Sequence, residues 1–252
     1  NQALAGHGQE LAMFPSTQDI ATVGGFVAGG SSGIGSVANG MLRDPGNLIA
    51  LSALSVEERP KLHRFDGAEA LHIHHAWGMN GAITEVTLRT VPARDWVGCL
   101  ATFDSYGAAY AAGHALSCAE AIAPKLVSTL DARIASFFPR LSGHIREGRD
   151  LLVTMIPRDT EAAFRELIAA QVGQVDLILS EAQRKELKLP HVFEFSYNHT
   201  TLQVLKADRS ATYQQVGCPV PPDTERVTAL SDALREDVWM HHDIARRGRA
   251  VV

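Results

Sequence analysis

Two stretches of this 252-residue chain gather residue types that could do chemistry. The first, residues 21–44, reads ATVGGFVAGGSSGIGSVANGMLRD and carries Gly24, Gly25, Gly29, Gly30, Gly33, Gly35 and Gly40, with Ser31, Ser32 and Ser36 among them. Glycine admits positive φ and lets a ligand approach the backbone, and successive outward-facing N–H groups form an anion-binding nest. With short hydroxyl donors in the same loop, the chemistry suggested is a cradle for a nucleotide pyrophosphate. The plainer alternative is a set of turns between strands.

The second stretch is Phe195-Ser196-Tyr197-Asn198-His199-Thr200-Thr201, with Lys206 following. Apolar strand-like residues give way abruptly to hydrogen-bonding groups, the pattern of a strand ending at a cleft. His199, whose ordinary pKa is near neutrality, could take a hydroxyl proton while Asn198, Tyr197 and Lys206 orient a carboxylate. A surface loop with one exposed histidine is the alternative. His241-His242-Asp243 is a further candidate, expected on a solvated helix. His72 and His74 would share one strand face, which suits a metal pair, but no carboxylate or further histidine besides His75 stands at ligand spacing, so no metal site is expected.

The elements that must position these groups fall into two textures. Residues 2–11 read as a helix, 21–28 as a short strand before the glycine loop, and 47–54 (NLIALSAL) as a strand between Pro45-Gly46 and a charged turn. Residues 71–77 (LHIHHAW) lead as a strand into a second glycine turn, Gly78-Met79-Asn80-Gly81, and residues 82–91 (AITEVTLRTV) follow with imperfect alternation up to Pro92. Past Pro92, residues 96–103 (WVGCLATF), 125–130, 150–156 (DLLVTMI) and 175–179 read as strands. An alanine-rich helix over 105–119 and a second helix to Val172, capped by Asp159-Thr160-Glu161, lie between them. The order β-α-β-β-α-β is the split-βαβ, ferredoxin-like plan. Strands over 191–197 and 211–216 and a helix over 223–234 complete the reading, with a domain boundary near residue 93.

Composition bounds the class. Hydrophobic residues make up 46% and charged residues 20%, so the chain can bury a core, and a net charge of −5 argues against a nucleic-acid partner. Cys99, Cys118 and Cys218 are odd in number and form no CxxC pair, which points to a reducing, cytoplasmic setting. No stretch reaches the length of a membrane span and no signal peptide opens the chain. Both ends look cut from a longer protein.

Residues 29–38 (GGSSGIGSVA) look very like the cofactor loop of the short-chain dehydrogenases, and Gly33-x-Gly35-x-x-Ala38 satisfies a dinucleotide fingerprint. That chemistry needs a Tyr four residues before a Lys. Tyr106, Tyr110, Tyr197 and Tyr213 are followed at that spacing by Tyr110, His114, Thr201 and Gly217, so an NAD(P)-dependent short-chain reductase is kept only as an alternative.

The same residues resemble the FAD-binding domain of the vanillyl-alcohol oxidase / p-cresol methylhydroxylase (PCMH) superfamily, within it the glycolate-oxidase-like and D-lactate-dehydrogenase-like FAD-linked oxidases. The matching motifs are Thr22-Val23-Gly24-Gly25, Asn39-Gly40 with Arg43-Asp44, and Gly78-Met79-Asn80-Gly81-Ala82-Ile83-Thr84-Glu85, in which Ala82 replaces a more usual Ile. The resemblance covers residues 1 to about 96 well and the rest more loosely. It implies an α+β chain: the second half of a PCMH-type FAD-binding domain (1–93, N-terminal subdomain missing), followed by a ferredoxin-like α+β cap, or substrate, domain (94–252, incomplete).

FAD is the cofactor implied. Thr22, Gly24, Gly25, Gly30, Ser31, Ser32, Gly33, Gly35, Ser36 and Gly40 would line its pyrophosphate, and Asn80, Gly81, Ala82 and Ile83 would lie along the flavin or adenosine; a plain hairpin turn is the alternative for Asn80-Gly81. Covalent attachment through His, Cys or Tyr occurs in the superfamily and would draw notice to His72, His74 and His75. The implied activity is oxidation of a 2-hydroxy acid or other alcohol by hydride transfer to the flavin, with His199, Asn198 and Lys206 as catalytic candidates and a small-molecule substrate as partner. This stretch alone is expected to be inactive. The electron acceptor and a homo-oligomeric state are left open, and a flavin-free binding or regulatory remnant of an oxidase fold is the other alternative.

Overall fold

The computed structural model describes residues 2–217, 223–247 and 250–251, so Cys218 lies outside the described residues. The chain divides into two compact units, Asn1–Arg94 and Asp95–Val252.

In the first unit a single turn of helix, α1 (Gln2–Ala5), is followed by strand β1 (Gln9–Leu11), so the helix expected over 2–11 stops after one turn. Gly8, at φ 64°, reverses the chain there, and β1 pairs antiparallel with β5 (Thr90–Pro92). The segment expected as a strand over 21–28 is helix α2 (Val23–Gly29). Thr22 caps it by accepting a hydrogen bond from the Gly25 amide at 3.0 Å, the standard satisfaction of a free N-terminal N–H. The glycines that disfavour a helix let this one lie close to its neighbour: a Cβ on Gly24 would already touch the Ile83 side chain at 3.7 Å. Helix α3 (Ser36–Asn39) follows the glycine loop.

A three-stranded antiparallel sheet carries these helices, with β2 (Leu48–Leu54) between β3 (Leu62–Asp66) and β4 (Ala82–Leu88). Residues 71–77 are not a strand. A 3-10 helix (Gly67–His72) runs into a turn in which His75 and Trp77 both take φ 54°. Val27, Leu48, Leu51, Ala53, Ala70 and Ile73 form the core, and Met13, Phe26 and Leu42 a smaller second cluster.

The second unit is built on a five-stranded sheet. Strand β6 (Trp96–Phe103) leads to helix α4 (Tyr106–Cys118), β7 (Leu126–Leu130) and a short α5 (Ala132–Ala135). Next come β8 (Asp150–Pro157), helix α6 (Glu161–Ala170), β9 (Gln174–Leu179), α7 (Glu181–Glu186), α8 (Asn198–Ala207) and α9 (Thr224–Leu234). Edge strand β10 (His241–Asp243) completes the sheet, and β11 (Arg246–Arg247) pairs with β12 (Ala250–Val251). The order is β10-β7-β8-β6-β9 with every neighbouring pair antiparallel. Each α-linked pair, β6 with β7 and β8 with β9, therefore runs parallel with one strand between, which is the split-βαβ arrangement.

Phe103, Leu100, Leu126, Leu151, Leu152 and Phe164 are fully buried, and each such side chain contributes about 1.5–3 kcal/mol. Two expected strands are absent. Residues 191–197 hold a 3-10 helix (Val192–Phe195), started by His191 and Glu194 in a reciprocal cap, and residues 211–216 form no regular element. Val192 occupies the space above Gly98, where a Cβ would come within 2.7 Å of it, so the apolar run packs onto the sheet rather than joining it.

Candidate functional site

In the first unit the glycine loop does two separable jobs. Much of it is held by its own chain. Phe14 and Ile34 exchange both backbone hydrogen bonds (3.1 and 2.8 Å), which lays the loop against residues 12–14. At Gly33 a Cβ would overlap the Phe14 carbonyl oxygen; at Gly35, which sits at φ 110°, it would overlap that of Ala12. Ser36 is fully buried, and its hydroxyl accepts from the Gly33 amide at 2.9 Å. Asn39 donates to Ala12 O (3.0 Å) and Asn47 donates to Asn39 O and Met41 O (both 2.8 Å), while Gly40 reverses the chain at φ 81°. Gly33, Gly35, Ser36 and Gly40, expected at a pyrophosphate, are thus already required by the fold.

Ser31 and Ser32 are different. Both are half-buried, and neither their amides nor their hydroxyls find an acceptor among the described residues. Only the carbonyl of Ser31 is used, by the Leu42 amide at 2.9 Å. The two serines present four donors in succession, the donor set an anion needs.

The floor beside them is set by His74 and Trp77. His74 is 9% exposed, and its Nε2 lies 3.0 Å from the Gly30 carbonyl, so that nitrogen carries the proton. Burial holds its pKa below the ordinary histidine value despite that bond. The amides of His75 and Trp77 donate to Val27 O and Ala28 O (3.0 and 2.9 Å), stapling the end of α2 to this turn. The exposed Trp77 ring covers Gly29 at 3.7 Å from where a Cβ would stand. Two non-glycine residues at positive φ cost about 1–3 kcal/mol each and mark a turn held in shape by its surroundings.

Asn80 donates to His72 O at 2.6 Å, and Gly81, at φ 156°, passes so close to Leu54 that a Cβ would stand 2.9 Å from its carbonyl oxygen. Ala82 and Ile83 then enter β4 opposite Leu54 and Ala53. Asn80-Gly81 is not a hairpin turn, because the strand it opens pairs with β2 rather than with the residues before it. Thr22, Gly24 and Gly25 lie at the start of α2, with the Thr22 hydroxyl spent on its cap.

The polar centre of the second unit lies around β10. The register sets His241 opposite Leu130, His242 opposite Thr129 and Asp243 opposite Ser128. Alternation along a strand sends His242 to one face and His241 and Asp243 to the other. On the His242 side its Nδ1 is 2.7 Å from the Tyr106 hydroxyl, and the Tyr110 ring lies 5.0 Å away. Burial, reinforced by neighbouring His241, pushes the His242 pKa down to about 4, and burial lifts the Tyr106 phenol well above its usual range. On the other side, Ser128 donates to Asp243 Oδ1 (2.8 Å), and His241 Nε2 lies 2.9 Å from Ser128 Oγ and 3.1 Å from Asp243 Oδ1. Asp243 Oδ1 also accepts from the Tyr197 amide at 3.3 Å.

That last contact brings the two sequence candidates of this unit together. Tyr197, at φ 51° and ψ −140°, begins α8, so Asn198 and His199 occupy its first turn beside the Asp243 cluster. His199 is half-buried on a helix, not at a strand end, and His241–Asp243 is an edge strand, not a solvated helix. Lys206 is exposed in the last turn of α8, about 12 Å along the axis from Asn198, and does not converge with it. Tyr106 and Ser128 carry no sequence signal: one is a tyrosine in an alanine-rich helix, the other a serine in a strand. Among the described residues no three His, Cys, Asp or Glu gather as metal ligands, and no helix is long and apolar enough to cross a membrane.

No family model matches the chain, and no curated protein matches it in sequence. Its fold is similar to that of alkyldihydroxyacetonephosphate synthase in two crystal forms. The first has a TM-score of 0.64 at 16% identity, covering 100% of this chain and 53% of the synthase. The second has a TM-score of 0.55, also at 16% identity, covering 77% of this chain and 39% of the synthase. The chain thus spans about half the length of these structures or less. At this identity the likeness is one of fold: a mixed α/β chain with antiparallel sheets, similar to part of the synthase.

Proposed function

We propose that the chain is part of an FAD-dependent oxidoreductase that oxidises a 2-hydroxy acid or another alcohol. The observation that carries this reading is the row of four unspent donors on Ser31 and Ser32, in a stretch whose sequence resembles a PCMH-type FAD-binding domain. FAD, when bound, supplies the hydride-accepting centre that no amino-acid side chain provides. The residues fit such a group in a definite way. Ser31 and Ser32 would hold the pyrophosphate, α2 and the glycine loop would give it a rigid backing, and Trp77 and residues 80–83 would offer apolar and backbone surface for the rings.

The second unit would serve as the substrate domain. Its histidines would take the substrate's hydroxyl proton, with His199 as the residue expected from the sequence, and Asn198 would hydrogen-bond the substrate's carboxylate or hydroxyl. Lys206 is proposed only as a more distant charge at the far end of α8.

Anaerobic mixing of the flavin-loaded full-length protein that contains this chain with a panel of 2-hydroxy acids and simple alcohols tests the reading. Bleaching of the flavin's visible absorption by at least one of them is the expected result. A flavoprotein that none of them reduces overturns the substrate class.

A further inference from the structure

The three-way contact at Asp243 Oδ1 has a consequence for proton chemistry. An ionised carboxylate only accepts hydrogen bonds, and a serine hydroxyl has one proton to give. Ser128 donates that proton to Asp243 at 2.8 Å, so its oxygen must act as acceptor toward His241 Nε2 at 2.9 Å. His241 Nε2 also stands 3.1 Å from Asp243 Oδ1, where an unprotonated nitrogen would set a lone pair against a carboxylate. Both contacts require Nε2–H. The neutral ring then carries its lone pair on Nδ1.

His242 is engaged elsewhere. Its Nδ1 faces the Tyr106 hydroxyl at 2.7 Å, inside the unit. We infer that His241 is the proton-accepting residue of this unit, and that Asp243 and Ser128 are positioning residues that fix its tautomer and leave Nδ1 as the base. The step is a proton transfer: the substrate O–H bond breaks, an Nδ1–H bond forms, and the imidazolium charge rests beside the Asp243 carboxylate. Ser128 is fully buried and directly opposite Asp243 in the sheet, so the pair is as rigid as β7 and β10 themselves. The same oxygen accepts from the Tyr197 amide, which ties the strained start of α8 to this dyad.

The assignment rests on the oxidoreductase reading for the proton's source, but the tautomer does not. The test therefore has two arms. In the first, nitrogen-15 NMR of the histidine rings in the wild-type chain reports the tautomer of His241 whether or not flavin is present. Nε2–H is expected, relaxing to a mixture in Asp243→Ala; an Nδ1–H ring in the wild type overturns the inference. In the second arm, His241→Gln in the flavin-loaded chain should keep its flavin spectrum and lose about 10²- to 10⁴-fold in the rate of flavin reduction. Asp243→Asn should lose less, in kcat rather than KM. A His241→Gln protein reduced at the wild-type rate, with His199→Ala inactive, overturns the inference and returns the base to His199. A chain that takes up no flavin counts against the oxidoreductase reading, and the first arm still decides the tautomer.

Discussion

The hydroxyl of Tyr106 and Nδ1 of His242 meet at 2.7 Å in the interior of the second unit, joining helix α4 to edge strand β10. Which of the two atoms donates depends on the tautomer of the histidine, whose pKa burial holds down at about 4, and the phenol O–H also reaches the Thr129 carbonyl at 3.3 Å. Thr129 lies beside the same hydroxyl at 3.1 Å, so the phenol oxygen is satisfied as well. A three-residue strand gains little from its own ladder; this buried contact and the Asp243 cluster on the opposite face hold it in the sheet.

His242 makes stability depend on pH. Its folded pKa of about 4 lies below the ordinary 6.5, so between those values the unfolded chain binds a proton that the folded chain refuses. Stability is therefore fully present above pH 6.5 and falls as pH drops toward 4, by about 3 kcal/mol in total. Urea unfolding followed by Trp96 and Trp239 fluorescence, in a Trp77→Phe background to silence the first unit, should show the loss. His242→Gln should flatten the slope across that window, and an unchanged slope would show that another group is responsible.

Removing the phenol hydroxyl isolates the contact. Tyr106→Phe keeps the ring packed but leaves Nδ1 of a buried histidine without its hydrogen-bond partner, at a cost of about 1–3 kcal/mol. The same fluorescence measurement should report that loss, and the His242 pKa should move. A variant as stable as wild type would mean that water reaches the ring.

Gly33→Val and Gly35→Ala should unfold the first unit rather than merely weaken a ligand. Each adds a Cβ into a backbone carbonyl, and Gly35 sits at a φ that costs an ordinary side chain about 1–3 kcal/mol. Hydrogen exchange of the β2 and β4 amides should accelerate in both variants. Wild-type protection in either would show that the loop relaxes freely.

Much of the second unit was legible because its strands are long and apolar: residues 96–103 and 150–156 stand out by β-branched and aromatic content alone. Helix α2 was not, since TVGGFVAG alternates small and apolar residues as a strand would. It is helical because Thr22 caps it and glycine allows close docking on Ile83. Residues 191–197 misled in the same way, through an alternation that serves a 3-10 helix packed on Gly98. The dyad of His241 and Asp243 is visible as letters, but Ser128 joins it from 113 and 115 residues away, and only the register of an edge strand reveals the partnership.

Asn47 should prove the keystone of the loop over residues 39–47. It is 4% exposed and closes that loop with two hydrogen bonds, to the carbonyls of Asn39 and Met41. Asn47→Ala should cost about 2 kcal/mol or more, read as faster exchange of the Met41 and Leu42 amides. An Asn47→Ala chain with unchanged exchange would refute the role.

The central claim, that Ser31 and Ser32 face a flavin's pyrophosphate, is tested most directly by the flavin content of the purified full-length protein that contains this chain, beside its Ser31→Ala/Ser32→Ala variant. The wild type should carry flavin or take up added FAD. The variant should bind it about 10²-fold more weakly or worse, with the exchange protection of β2 and β4 unchanged. A wild-type chain that stays colourless in excess FAD, or a double variant that holds flavin as tightly as wild type, would contradict the account.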